Sequence, residues 1–287
     1  MIAVVLPSIR PEMVTDFMTA WWTQFGQHNV EVVVVYDGDE PYVDFGGKHF
    51  SVKDIMGKYS DVIFNKNDGI RNLGFAFVAK YLKYVDYIFT TDDDCFPVGD
   101  TIGDHLAILQ KKVPVSWIST ASEYMRGFPY AVREEARVVL SHGVWNGVKD
   151  YDAPTQLTQG NKDVEFYKGP IPKGTYFPMC IMNVMFHKDI LPFMYQLPMG
   201  PKAGLDRFAD IWSGIIVKRE IDKKGLAAVS GYARVFHQRA SNVFTNLKKE
   251  ARGIGLNETF WSGDESDEYF KLYHKKAKRW KEFLSCI

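Results

Sequence analysis

Tyr87-Ile-Phe-Thr-Thr-Asp-Asp-Asp-Cys95 sets an apolar, β-favouring run directly against three consecutive carboxylates. A short apolar run closed by a polar turn is the pattern of a strand covered on both faces. Upstream, Gly69 to Tyr84 carries Leu73, Phe77, Val78 and Leu82 at helical spacing, and Asp61 to Asn65 reads as a short strand. Further back, Val30 to Tyr36 is a β-branched run stopped by Asp37-Gly38-Asp39, and Glu12 to Phe25 has helical periodicity. Ile2 to Leu6 is a first buried strand, broken by Pro7-Ser8. This strand–helix alternation predicts a Rossmann-like α/β half, in which ligands sit at the carboxyl ends of strands. Asp37, Asp39, Asp92, Asp93 and Asp94 all fall at such ends.

Downstream, Thr101 to Lys111 reads as a helix and Val115 to Thr120 as a strand. Residues 141 to 180, rich in Gly, Pro, Asp and aromatics, suggest loops and short strands around a site. Leu205 to Lys224 predicts a helix closed by Gly225, with a strand at Leu226 to Ser230. No internal repeat or low-complexity linker divides the chain. One domain over residues 1–263 is expected, with 264–287 as a basic amphipathic helix packed on it.

The 287 residues are 46% hydrophobic and 24% charged, so a sizeable core is available. Lysine plus arginine equals aspartate plus glutamate, at 35 each, so bulk charge does not point to nucleic acid. Cys95, Cys180 and Cys286 are widely spaced, which suggests neither a disulfide framework nor a zinc site and fits a reducing, cytoplasmic setting. No stretch approaches the length of a membrane span, and the start of the chain reads as a strand, so a soluble protein is expected.

Carboxylates crowded at a strand end repel unless a cation or a proton intervenes. A hard divalent ion resolves that conflict, and its open positions suit a diphosphate. If the pleat continues, Asp92 and Asp94 point one way and Asp93 the other. The alternative is a solvated acidic turn. Asp37 and Asp39 are placed to meet a ribose or base, although Asp-Gly is also simply comfortable in a turn. Arg10 and Arg71 are candidate diphosphate cations, with surface ion pairs as the plain alternative.

Several blocks resemble the reversibly glycosylated polypeptides, the family that includes plant UDP-arabinopyranose mutases. They are Leu6-Pro-Ser-Ile-Arg10, Val35-Tyr-Asp-Gly-Asp39, Ile88 to Phe96, Ser141-His-Gly-Val-Trp145, Tyr151-Asp-Ala-Pro-Thr-Gln-Leu157, Ile171 to Cys180 and Ala240 to Glu250. The resemblance runs from about residue 2 to residue 261. It implies a GT-A-like fold with a mixed central sheet flanked by helices, a divalent metal such as Mn²⁺ or Mg²⁺, and a UDP-sugar donor. It also implies self-glycosylation on an arginine, whose counterpart is Arg133 in Tyr130-Ala-Val-Arg-Glu-Glu135. A guanidinium stays protonated at neutral pH, so that role needs a base beside it, and anion binding is the competing one.

Asp206-Arg-Phe-Ala-Asp-Ile-Trp-Ser-Gly214 is similar to the family's aspartate pair before Met-Trp-Ala-Gly, but Ala209 stands at the first position. Asp210 remains, to orient a sugar or acceptor hydroxyl, or only to sit comfortably at a helix start. His237 is a candidate third metal ligand beside Asp92 and Asp94, and Lys248 with Lys249 a candidate loop over the diphosphate. The basic, aromatic segment Tyr269 to Lys281 leaves a nucleic-acid acceptor open without favouring it.

The expected activity is that of a metal-dependent UDP-sugar enzyme that breaks and remakes the glycosyl–phosphate bond, interconverting pyranose and furanose forms of a UDP-pentose. The alternative is a glycosyltransferase passing the sugar to a protein, a glycan or a hydroxymethylated DNA base. The sequence is silent on the donor sugar, the stereochemical outcome and any assembly of identical copies.

Overall fold

A computed structural model describes residues 1–118, 124–160, 162, 164–239 and 241–287. The first strand, β1 (Ile2–Ser8), is followed by α1 (Pro11–His28), β2 (Val30–Tyr36), β3 (Tyr42–Phe45), β4 (Lys48–Ser51) and α2 (Val52–Met56). Then come α3 (Arg71–Tyr81), β5 (Tyr87–Thr91), β6 (Cys95–Pro97), α4 (Thr101–Leu109), β7 (Lys112–Val113), β8 (Ala136–Gly147) and α5 (Ala153–Gln159). The chain finishes with β9 (Gly169–Pro170), β10 (Asn183–His187), α6 (Ala209–Lys223), β11 (Ala227–His237), α7 (Val243–Phe260) and α8 (Glu268–Ser285).

The main sheet runs β4-β3-β2-β1-β5-β10-β8-β11-β6. The strands β2, β1 and β5 are parallel, with Ile2 opposite both Val30 and Tyr87. Next to them β10 is antiparallel to both β5 and β8, while β11 is parallel to β8. The sheet is therefore mixed, and helices cover both faces.

Alternation along the strands explains the two layers. Ile2, Val4, Leu6 and Phe89 join Phe17, Trp21 and Phe25 of α1 and Ile102 of α4 on one face. Ala3, Val5, Val33, Val35 and Ile88 join α3 and Trp212 of α6 on the other. Gly74 lets α3 lie close to the sheet, because a Cβ there would come within 2.4 Å of Val5 Cγ1 and 2.7 Å of Val35 Cγ2. Tyr269, Phe270, Tyr273, Trp280 and Phe283 of α8 are buried in this second layer, and Lys276 and Arg279 of the same helix pair with Asp61. Among the described residues no helix is long and apolar enough to cross a membrane.

Several expectations are corrected. Asp61 to Asn65 is not a strand: a 3₁₀ turn spans Gly57–Val62 and irregular chain follows. The sheet edge beyond β2 is taken instead by the β3–β4 hairpin, whose turn uses Gly46 and Gly47 at φ 60° and 78°. Residues 115–118 form no strand, and Thr120 of that expected strand lies outside the described residues. Ser141 to Gly147 is not loop but the end of the long strand β8. The helix expected from Leu205 starts at Ala209, since Arg207 holds a left-handed backbone with φ 66°. Lys248 and Lys249 sit inside α7 rather than in a loop.

Candidate active-site cleft

At the carboxyl ends of β1, β2 and β5 the chain opens into two adjoining chambers. One, of about 650 Å³, is lined by Pro7 to Arg10, Asp37, Gly38, Lys66 to Asp68, Ile70, Arg71 and Asp92 to Asp94. We call it the β1–β2 chamber. The other, of about 620 Å³, takes Lys149 to Asp152, Arg207, Asp210, His237, Arg239 and Glu250 into its wall. We call it the α6 chamber. Arg10, Asp68, Arg71, Asp92 and Asp94 line both, so the aspartate cluster stands where the chambers meet.

The three aspartates are held by different main partners, although Arg10 Nη2, paired with Asp93, also lies 3.7 Å from Asp94 Oδ2. Asp92 is held by Nη2 of Arg71, a guanidinium only 1% exposed that also donates from Nε to Thr90 Oγ1 at 3.2 Å. Asp93 turns to Arg10 and accepts from the Ser8 hydroxyl, lining only the β1–β2 chamber. Asp94 faces His237, with 3.8 Å between Oδ1 and Nε2. The expected division of Asp92 and Asp94 from Asp93 is thus what the turn after β5 produces. The guanidiniums of Arg10 and Arg71, the candidate diphosphate cations, are engaged by carboxylates and line both chambers. An arginine buried this deeply is stable only with such pairing.

His237 ends β11, and its Nδ1 lies 2.8 Å from the Val148 carbonyl. That contact makes Nδ1 the donor and turns Nε2 toward the Asp94 carboxylate. At 3.8 Å the two groups leave room for a proton or a cation to be shared between them. Burial accordingly pushes the Asp94 carboxyl above its usual range, against the opposing pull of His237 and Arg10. One imidazole and one carboxylate, with Asp92 adjoining, form a donor set suited to Mn²⁺ or Mg²⁺. Among the described residues, however, no three such side chains are already gathered as a metal cluster.

Asp210 lies in the first turn of α6, where Oδ1 accepts from Ile211 N at 2.9 Å and Oδ2 from Ile181 N at 3.2 Å. Burial, followed by the charges of Asp68 and Asp150, raises its pKa to about 7. Ala209, just before it, is 1% exposed within the apolar core. Asp37 is fixed by the backbone N–H groups of Gly38 and Lys66, each 2.8 Å from its Oδ1, and burial raises its pKa against those bonds.

Other expected residues are not brought to the cleft wall. Asp39 is exposed and pairs with Lys66 at 2.5 Å. Lys248 is exposed on α7, and Lys249 pairs with Asp206 at 3.0 Å. Arg133 packs its guanidinium on the rings of Tyr124 and Tyr130, at 4.4 and 3.9 Å, and lines neither chamber. Asp68, Asp150, Arg207 and Glu250 are cleft residues that the sequence reading passed over. Arg207 and Asp150 stood in or beside blocks already singled out, and an acidic or basic residue next to such a block was the available signal.

A mixed α/β sheet with an acidic cluster at the meeting of two strand-end chambers defines a protein built to hold a compact, charged ligand. The family model for reversibly glycosylated polypeptide matches residues 1–265, and the chain belongs to that family. It is 33% identical to a protein named probable UDP-arabinopyranose mutase 1 from Zea mays, over 91% of this chain and 75% of that one. It is also 33% identical to UDP-arabinopyranose mutase 3 of Arabidopsis thaliana, over 93% and 77% of the two chains. Among solved structures, the catalytic domain of Drosophila β1,4-galactosyltransferase 7 matches at 13% identity and a TM-score of 0.39, covering 86% of this chain and 79% of that one.

Proposed function

We propose that this protein is a UDP-sugar mutase that interconverts pyranose and furanose forms of a UDP-pentose, a reading supported by relatives named UDP-arabinopyranose mutase. The observation that carries the reading is the meeting of two chambers of similar size at Asp92 to Asp94. The β1–β2 chamber suits a nucleoside, with Asp37 fixed for a ribose or base contact. The α6 chamber suits a pentose. The bond between sugar and diphosphate then lies beside the aspartates.

Asp94, His237 and Asp92 are the residues we assign to a divalent ion. When bound, such an ion supplies charge stabilisation to the departing diphosphate. The chain's own task is proton management. When the ring changes size, the bond from the anomeric carbon to one sugar oxygen breaks and the bond to another forms. The oxygen entering the ring loses a proton, the oxygen leaving it gains one, and the diphosphate, which departed with the electron pair of its bond to the anomeric carbon, re-forms that bond once the new ring is closed. A carboxyl with a pKa of about 7, as at Asp210, can both take and return that proton near neutrality. A cytoplasmic setting belongs to the same reading and is supported by the free thiols of Cys95, Cys180 and Cys286.

Incubating the protein with UDP-arabinopyranose and Mn²⁺ and separating the products by chromatography tests this. The furanose isomer of the nucleotide-sugar is expected. Unchanged donor, with UDP released only when an acceptor is added, would overturn the mutase assignment.

A further inference from the structure

Among the described residues, three non-glycine residues have a left-handed backbone: Asn29, Lys66 and Arg207, with φ of 53°, 60° and 66°. Asn29 is the cap that closes α1, where this conformation is ordinary. The other two are basic, and each stands in the wall of one chamber, Lys66 in the β1–β2 chamber and Arg207 in the α6 chamber. A long side chain in this region is strained, and such strain gathers where a ligand is gripped.

Arg207 is also braced. Its Nε donates to Glu250 Oε1 at 2.7 Å, and the other oxygen of Glu250 accepts from Ala153 N at 2.7 Å. Glu250 is 3% exposed, so α7, the start of α5 and the turn before α6 are tied together through one buried carboxylate. The pairing uses the inner edge of the guanidinium. Its terminal nitrogens are the part of the fork suited to a bidentate phosphate contact. Meanwhile Arg10 and Arg71, the guanidiniums at the aspartate cluster, already neutralise Asp93 and Asp92.

We infer that Arg207 is the arginine that grips the terminal phosphate of the nucleoside diphosphate, and that Glu250 is the positioning residue that aims it. This rests on the reading of the cleft as a UDP-sugar site. As the bond to the sugar breaks, the electron pair stays on that phosphate oxygen, and Arg207 meets the added charge. Lysine at the same place keeps the charge but loses the planar fork.

Calorimetry with UDP and with UMP, on wild type, Arg207→Lys and Glu250→Gln, tests the inference. Arg207→Lys should weaken UDP about 10- to 100-fold, the scale of one charge-assisted bidentate contact, and leave UMP unchanged. Glu250→Gln should weaken UDP in the same sense by less, since it keeps the shape and one hydrogen bond. Equal UDP affinity in wild type and Arg207→Lys, with only a lowered melting temperature, would overturn it and leave Arg207 as a structural ion pair. Equal losses for UMP and UDP would overturn the assignment to the terminal phosphate. Wild-type protein that binds neither nucleotide would instead sink the UDP-sugar reading itself, so the two failures are distinguishable.

Discussion

The two chambers are built by different means. The β1–β2 chamber draws its wall from residues 7–10, 37–38 and 92–94, at or just after the ends of the parallel strands β1, β2 and β5, and from 66–68, 70 and 71 in the segment that leads into α3. The α6 chamber collects Asp150, Arg207, Asp210, His237 and Glu250 from segments separated by strands and helices. In the first, backbone topology alone delivers the side chains to one place. In the second, delivery depends on long-range bonds, such as Glu250 to both Arg207 and Ala153. Contacts to the nucleoside should therefore belong mainly to the regular half, and the grip on the terminal phosphate and the chemistry on the sugar to the assembled half. Each variant below challenges that division.

The largest expected effect is on the sugar side. Asp210→Asn should lower kcat by on the order of 10²- to 10⁴-fold while UDP affinity stays close to wild type. Normal turnover would remove Asp210 from the chemistry. The same variant has a stability signature. The folded carboxyl, with its pKa raised from 3.8 to about 7, binds a proton that the unfolded chain has already lost between those pH values. Its contribution is therefore fully present below about pH 4 and is lost as pH rises through about 7. Asparagine has no such loss, so the melting temperature of Asp210→Asn should gain on wild type from pH 4 to pH 8. A constant gap across that range would mean that the carboxyl is not perturbed.

At the boundary between the chambers, Asp94→Asn should cut turnover by on the order of 10²- to 10³-fold. It should also remove the Mn²⁺-dependent part of UDP binding seen by calorimetry with and without EDTA. UDP affinity that ignores both the mutation and the chelator would rule out Asp94 as a ligand of the ion.

In the regular half the expected effect is on stability. Gly74→Ala would place a methyl 2.4 Å from Val5 Cγ1, between α3 and the strands that carry the β1–β2 chamber. Overpacking of this kind costs about 1–3 kcal/mol, against a helix-propensity gain of up to about 1 kcal/mol. A net loss of about 1–2 kcal/mol should appear as a melting temperature lower by roughly 2–8 °C, on the scale of a domain this size. An unchanged or raised melting temperature would show that α3 can retreat, and that the chamber floor is less rigid than the packing implies.

The same contrast explains what was legible in the sequence. The run from Tyr87 to Asp94 and the strands at Ile2 and Val30 are decided by local periodicity and by the residues that stop it. They place Asp37 and Asp92 to Asp94 without further information. The β3–β4 hairpin was missed because its strands are four residues each and one is mostly exposed, leaving little pattern beyond Gly46-Gly47. Lys248 was read as a loop residue, whereas an N-cap at Asn242 starts α7 and carries it through that position. No local signal shows that Arg207 and Glu250, 43 residues apart, share a bond. Nor does composition reveal that Arg10 and Arg71 would be taken by neighbouring aspartates rather than left for a ligand. Pairings of that kind are set by the folded geometry.

The smallest effect is expected outside both chambers, at Arg133. Its guanidinium stacks on Tyr124 and Tyr130, and its Nη2 donates to the Phe128 carbonyl at 3.1 Å. A stacked arginine of this kind is worth about 0.5–2 kcal/mol to local packing. Because it lines neither chamber, Arg133→Lys should leave kcat and UDP affinity within about twofold, while the loss of stacking lowers the melting temperature slightly. Labelling with a radioactive UDP-sugar sharpens the test. A residue that forms a covalent bond to the sugar must come within reach of the anomeric carbon, and Arg133 lines neither chamber. Label that survives denaturation, maps to the Arg133 peptide and disappears in Arg133→Lys would show that the segment moves to the cleft. It would also break the division of labour between the two chambers, because a third region would then take part in the chemistry.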